Sequence, residues 1–327
     1  MKISIIIPIY NVSPYIERCL NSVLMQNCTE KLECILVNDC TPDNSVALAQ
    51  EIINRYHGSI DVKLFHHKRN KGLSAARNTG IQYATGDYLY FLDSDDEITP
   101  NCINVLCMLA VKYKGVDIVQ GNIVVMSETL RWLEISQYSF PEYTTDIDWI
   151  RRNIFYTFPV TATNKLIKRD FVLRYDLWFR EGIIHEDEHW KYFAYRRISS
   201  IAFCEEPIYV YYINENSITS NKYKDKSFHS CLCIFNECIP TLERKGEYEA
   251  ILLRLAYQYK NISSLKDPVY YIQEYKKLLR RQLFSKKVPL SVKMSFLYLY
   301  YPCLFIKTVC YLFFKRSYHV ICKMRKT

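Results

Sequence analysis

Tyr88-Leu89-Tyr90-Phe91-Leu92-Asp93-Ser94-Asp95-Asp96 is the stretch whose reading decides the fold. Its apolar half has the length and composition of a short buried strand, and that strand delivers carboxylates to its C-terminal end. Strand period two places Asp93 and Asp95 on the same side, so both can reach one metal or one metal-bound ligand. Carboxylates this close repel one another unless a cation or a network of donors neutralises them. The other reading is a solvated acidic turn. The flanking sequence decides between the two.

Upstream, strands and helices alternate. Ile3–Ile7 is an apolar strand; Ser13-Pro14 opens a helix, with Ser13 as N-cap and Pro14 at the first helical position. Ile16, Leu20, Val23 and Leu24 share one face of that helix. Strand Glu33–Val37, helix Asn44–Tyr56, strand Val62–His66 and helix Ser74–Ala84 follow, then strand Tyr88–Leu92, a helix over 101–114 and strand Asp117–Gly121. Near-continuous apolar strands separated by amphipathic helices predict an α/β fold, a mostly parallel sheet flanked by helices. Such sheets bind ligands at the carboxyl ends of their strands.

Four polar loops fall at those ends. Pro8-Ile9-Tyr10-Asn11 ends strand one; Pro8 stops the ladder, and Tyr10 offers a ring to a base or ribose. Asn38-Asp39-Cys40-Thr41-Pro42-Asp43-Asn44-Ser45 ends strand two, where Asp39 can accept an N–H from a nucleobase and Asp43 or Asn44 caps the next helix. Asn70-Lys71-Gly72-Leu73-Ser74-Ala75-Ala76-Arg77-Asn78-Thr79-Gly80 brings a glycine turn and a helix start close to a ligand, with Lys71 or Arg77 placed for phosphate. The acidic tetrad is the fourth. Singly, each has a plain structural explanation: a rim aromatic, a helix cap, a solvated basic loop. Four on one sheet edge, in this order, are harder to explain that way.

The chain carries a net charge of +9, unevenly distributed: residues 1–220 hold 22 Lys/Arg against 27 Asp/Glu, and residues 221–327 hold 21 against 7. A basic final third calls for an anionic partner surface. Its positive residues interleave with aliphatic ones and form no recognisable module, which argues against nucleic acid. Thirteen scattered cysteines without a C-x-x-C pair, and no secretory leader, predict reduced and mostly buried thiols in a cytosolic setting.

Taken together, the segments P-I-Y-N, V-N-D-C-T-P-D-N-S, N-K-G-L-S-A-A-R-N-T-G-I and Y-L-Y-F-L-D-S-D-D resemble the inverting family 2 glycosyltransferases of GT-A fold, a Rossmann-like sheet flanked by helices. The resemblance is dense over about 1–125 and looser over about 160–220. It implies a nucleotide-sugar donor, with UDP as the better bet. It also implies Mn²⁺ or Mg²⁺ ligated by Asp95, with Asp93 beside the metal or ribose. Pro8, Tyr10, Asn11, Asp39, Lys71, Gly72, Arg77, Asp93 and Ser94 would hold the donor. The second motif departs from the family's D-D-G-S: Asn38 replaces the first acid, and Cys40 the glycine. The cysteine implies a turn with no need of positive φ.

Inverting transfer also needs a base for the acceptor hydroxyl. The family places an acid at a helix start, often in an E-D pair, and His185-Glu186-Asp187-Glu188-His189-Trp190 resembles that segment. Asp187 is the expected base and Glu186 the second choice; His185 and Trp190 would shape the acceptor side. Asn164-Lys165-Leu166 resembles a recurring family segment of structural character.

The predicted organisation is a catalytic domain over 1–220, with a nucleotide-binding half (1–121) and an acceptor half (122–220), followed by a basic helical extension over 221–327. Within the extension, residues 288–316 read as an in-plane membrane-surface anchor, since no uninterrupted apolar run is long enough for a secure span; the other reading is a helical hairpin packed on the catalytic domain. The expected enzyme is a metal-dependent hexosyl- or N-acetylhexosaminyltransferase at the inner face of the plasma membrane. It would extend a glycan or lipid-linked acceptor in surface-polysaccharide synthesis. The alternatives are a non-catalytic nucleotide-sugar-binding scaffold and a nucleotidyltransferase; the second would show a glycine-rich phosphate loop where Pro8-Ile9-Tyr10-Asn11 stands.

Overall fold

The structure, a computed structural model, describes residues 1–126, 133–134, 140–153, 160–213, 224–243, 247, 251, 265–285, 288, 290 and 293. The first part runs β1 (Lys2–Ile9), α1 (Ile16–Leu24), β2 (Lys31–Asn38), α2 (Ser45–Arg55), β3 (Asp61–His66), α3 (Leu73–Tyr83), β4 (Tyr88–Phe91), β5 (Glu97–Ile98), α4 (Cys102–Lys112) and β6 (Ile118–Met126). Then come β7 (Leu133–Glu134), β8 (Tyr143–Thr144), α5 (Ile147–Asn153), β9 (Lys165–Lys168), α6 (Arg169–Arg174), α7 (Glu186–Arg197) and β10 (Ile201–Tyr212). Helices α8 (Lys224–Cys238) and α9 (Pro268–Phe284) close the described chain.

The strands join one sheet in the order β3-β2-β1-β4-β9-β6-β10-β5, with β7 on β6 and β8 on β10. Neighbours from β3 to β4 are parallel; β9 enters antiparallel between β4 and β6. Helices cover both faces. Ile3, Ile5, Ile7 and Ile9 of β1 are fully buried in one core with Ile16 and Leu20 of α1 and Cys102 and Leu106 of α4. Each such side chain contributes roughly 1.5–3 kcal/mol of burial free energy. On the other face α3 lies so close to β1 that a Cβ on Gly80 would sit 2.2 Å from the Ile6 side chain. That contact requires glycine.

Two sequence expectations need correction here. Helix α1 starts at Ile16 behind Tyr15, without a side-chain cap; Ser13 lies before it in a turn, its N–H donated to the Asp43 carboxylate at 2.8 Å. Pro8 does not end β1, which pairs with β2 through Ile9↔Asn38. It ends only the ladder toward β4. Leu92 donates its N–H to the Ile6 carbonyl at 3.0 Å, and the next rung would need an N–H that Pro8 lacks. The chain after Leu92 is thereby released.

What it does next is unusual. From β4 the chain passes the acidic tetrad and enters β5, which pairs antiparallel with β10 through Tyr209↔Ile98 and Val210↔Glu97. The tetrad therefore bridges from a central strand to the far edge of the sheet, past β9, β6 and β10 in the strand order. Strand β10 itself shifts register on either side of Pro207, a bulge expected where a ladder N–H is missing.

The chain separates into two compact units, one of Met1–Ile150, Pro159–Gly182 and Glu186–Ser217, the other of Arg151–Phe158, Ile183–His185 and Ile218–Thr327. The described parts of the second unit's C-terminal stretch are mainly helical. In it Asp267 caps α9 by accepting the Tyr270 N–H at 3.0 Å, and the Phe228 and Tyr271 rings meet edge-on. The 288–316 segment lies outside the described residues except at three positions. No described helix is long and apolar enough to cross a membrane.

Candidate active site

The first two loops are tied to each other. The N–H groups of Asn11 and Val12 donate to the Thr41 and Ser45 hydroxyls at 2.7 and 3.0 Å. Those hydroxyls in turn donate to Asp43 Oδ1 at 2.7 and 2.6 Å. Burial opposes the Asp43 charge, yet Ser45, Thr41 and the Ser13 N–H hold its carboxyl well below the usual range. Asp43 thus organises the start of α2. Tyr10 stands free at the rim, 47% exposed. Cys40, contrary to expectation, takes a left-handed φ of 56°. The Asn38 side chain accepts the Thr41 N–H at 2.9 Å, and this tight turn imposes the conformation glycine would adopt more cheaply.

Asp39 is buried beneath the third loop. Its Oδ1 accepts the Lys71 N–H at 2.8 Å and lies 2.6 Å from His67 Nδ1; its Oδ2 accepts the Gly72 N–H at 2.7 Å. A carboxylate has about four lone-pair sites, so these three partners leave one on Oδ2. His67 Nε2 meets the Thr79 hydroxyl at 2.8 Å. The sequence alone reads His67 as part of a solvated basic loop, whereas the structure buries it between Asp39 and Thr79. Its signal was a histidine at a strand end in register with an acid-bearing loop. The Lys71 side chain is exposed, and Gly72, at φ 89°, starts α3.

Helix α3 faces a different partner from the one its sequence suggests. Ser74 donates to the Arg180 carbonyl at 2.8 Å. Asn78 exchanges two bonds with the Phe179 backbone, at 2.8 and 2.9 Å. Arg77, 3% exposed, donates from Nη1 to Glu186 Oε1 at 2.6 Å and from Nη2 to Asp93 Oδ1 at 2.7 Å. Its burial opposes charge, but Asp93, Glu186 and Asp187 keep the guanidinium firmly protonated. This arginine joins the acidic turn to the acid pair. It is not a free phosphate ligand.

The acidic turn lies beyond the last residue of β4, so strand alternation does not govern it. Asp96 donates its N–H to the Asp93 carbonyl at 3.1 Å, closing the turn. Arg18 Nη2 donates to the Asp95 carbonyl at 2.5 Å. Ser94 and Asp96 are buried; Asp93 is 34% exposed and Asp95 half-buried. Burial, with Asp95 and Asp93 close by, pushes the Asp96 carboxyl up to about 8. Among the described residues no group of three or more His, Cys, Asp and Glu side chains is arranged to hold a metal by itself. A cation that completes its shell with phosphate and water oxygens needs only one or two carboxylates. Asp93 and Asp95 fit that requirement.

At the start of α7, Glu186 and Asp187 are neighbours with opposite lots. Glu186 is buried on Arg77. Asp187 accepts the Glu188 N–H at 2.8 Å; burial first, then the Glu186 charge, raise its carboxyl to about 7, with Arg77 pulling the other way. Trp190 does not line an open face: it is buried, stacked with Phe179, and donates to the Leu177 carbonyl. His185, in the second unit, pairs with Ser227 at 2.6 Å. Lys165 is fully buried, and its Nζ donates to Thr161 O, Thr163 O and Asn164 Oδ1, three acceptors for three N–H bonds.

A mostly parallel sheet flanked by helices, with acids and a clamped arginine at its carboxyl edge, has the GT-A-like fold. The glycosyl transferase family 2 model matches residues 4–174, and the chain belongs to that family. It is 34% identical over 230 residues to the uncharacterized glycosyltransferase EpsJ of Bacillus subtilis, covering 68% of this chain and 64% of that one. The S. aureus TarS 1–349 structure in complex with UDP-GlcNAc superposes with a TM-score of 0.66 at 17% identity, covering 100% of this chain and 92% of that one. Mannosyltransferase PcManGT of Pyrobaculum calidifontis, solved with GDP-Man and Mn²⁺, superposes at 0.56 and 17% identity, covering 98% and 85%.

Proposed function

We propose that this chain is an inverting, metal-dependent hexosyl- or N-acetylhexosaminyltransferase. It would move a sugar from a UDP-linked donor to a glycan or lipid-linked acceptor in surface-polysaccharide synthesis. The observation that carries the reading is buried Arg77, which holds Asp93 of one motif and Glu186 of the other on a single guanidinium. Donor end and base end are thereby parts of one site. Tyr10 at the rim and the last lone pair of Asp39 address the nucleoside. Pro8, Asn11, Lys71, Gly72 and Ser94 shape the loops around it. UDP-GlcNAc in the TarS complex supports the choice of base.

The acceptor hydroxyl passes its proton to the Asp187 carboxylate as its oxygen attacks the anomeric carbon. The bond from that carbon to the diphosphate breaks, its electron pair leaves with the nucleoside diphosphate, and configuration inverts. Glu186, held by Arg77, is the weaker acceptor of that proton. Mn²⁺ or Mg²⁺ on Asp95, with Asp93 beside it, would neutralise charge on the departing diphosphate. The basic final third suits an anionic membrane surface at the cytoplasmic side, where a lipid-linked acceptor would be presented.

Calorimetric titration with UDP, GDP and CDP, each with Mn²⁺ and with EDTA, tests the donor site. Metal-dependent binding of UDP that disappears in Asp95→Ala is expected. Binding of none of the three would refute the site.

A further inference from the structure

We propose that Asp96 and Tyr209 are positioning residues that set the geometry of the donor-binding turn, an inference that rests on the reading of Asp93 and Asp95 given above. The turn is held at one end by the Leu92 N–H on Ile6 and at the other by the β5–β10 ladder. Between those ends it bridges past three strands and has no ladder of its own. Asp96 supplies the missing support. It is 1% exposed, and both its oxygens are engaged by β10: Oδ2 takes the Tyr209 hydroxyl at 2.6 Å, and Oδ1 the Tyr212 N–H at 2.8 Å.

The Tyr209 oxygen reaches back into the turn. It accepts the Asp93 N–H, a long bond at 3.4 Å. One buried hydroxyl therefore connects the backbone of Asp93 to the carboxylate of Asp96, while Asp96 N–H closes on Asp93 O. A second clamp lies beside it. Arg18 stacks 3.5 Å from the centre of the Tyr212 ring and donates to the Asp95 carbonyl. Both backbone positions that aim the exposed carboxylates are thus fixed by residues of β10 and α1 that have no need to touch donor. Asp96 itself, with both oxygens engaged, serves the site through the turn.

This assignment separates geometry from charge. Asp96→Asn removes the charge but keeps an oxygen for Tyr212 and an amide for Tyr209; Asp96→Ala removes both partners. Tyr209→Phe keeps the buried ring and deletes only the bridging hydroxyl. The full-length chain and these three variants are titrated with UDP in Mn²⁺ and in EDTA. Amide exchange of the metal-free proteins is followed at Asp93 and Asp96.

Tyr209→Phe and Asp96→Ala should weaken Mn²⁺-dependent UDP binding about tenfold or more. They should leave binding in EDTA unchanged, and speed exchange in the turn but not in β1. Asp96→Asn should stay within about threefold of wild type. Equal losses in Asp96→Asn and Asp96→Ala would show that Asp96 acts by its charge, and would overturn the proposal. So would wild-type binding and exchange in Tyr209→Phe. Absence of Mn²⁺-dependent binding in the wild type would instead overturn the donor-site reading and this inference with it.

Discussion

The loops after β1 and β2 and the acids around Arg77 stand at the same sheet edge, and they treat charge in opposite ways. In the first region the carboxylates are nearly satisfied within the protein: Asp43 by hydroxyls and N–H groups, Asp39 by two N–H groups and His67 with one acceptor site to spare. In the second, Arg77 faces Asp93, Glu186 and Asp187 together, and Asp187 is left near neutrality at about 7. A loop that recognises a ligand by shape can be finished before the ligand arrives. On the proposed mechanism, a group that must take up a proton has to be left unfinished.

The sharpest way to break this contrast is Asp187→Asn. Transfer should fall about 10²–10⁴-fold, the usual worth of a general base, with UDP binding retained; equal transfer in the variant would remove Asp187 from the chemistry. Next is Arg77→Met, which leaves Glu186 buried and unpaired. Urea unfolding should show a loss of about 3–5 kcal/mol.

The third test concerns pH. A base must be ionised, so wild-type kcat/KM should climb through about pH 7 as Asp187 loses its proton. Glu186→Gln removes the neighbouring charge that raises that value, so the acid limb should move to lower pH; an unmoved or higher limb would contradict the electrostatic account. The smallest effect belongs to the first region. Cys40→Gly should raise thermal stability by roughly 0.5–1 kcal/mol, the left-handed strain relieved less the entropy glycine adds.

Much of this was legible in the residues. Apart from the two-residue β5, the elements from β1 to α4 follow the apolar pattern closely, because a parallel sheet covered on both faces needs continuous apolar strands and long connections. Four features were not legible. Cys40 looked incompatible with positive φ, since local preference says nothing of the Asn38 side chain that imposes it. Arg77 looked like a phosphate ligand because its partners, Glu186 and Asp93, lie far from it in sequence or on another element. Pro8 acts on only one of its two neighbouring strands, and strand order is invisible in one dimension. Strand β10 carries Glu205-Glu206-Pro207 at its bulge, which breaks the alternation that would have revealed it.

The pairing of β5 with β10 has a further consequence, for the order in which the protein is made. Residues 97–98 find their partners at 209–210, more than a hundred residues later in synthesis. Contacts of such sequence separation form late, after the local ones have closed their loops. A nascent chain that has emerged only through α4 has the residues for β1 to β4, yet Asp93–Asp96 still lack the strand that anchors them. The acidic turn is thus among the last parts of the sheet to take shape, once residues 209–212 have been made.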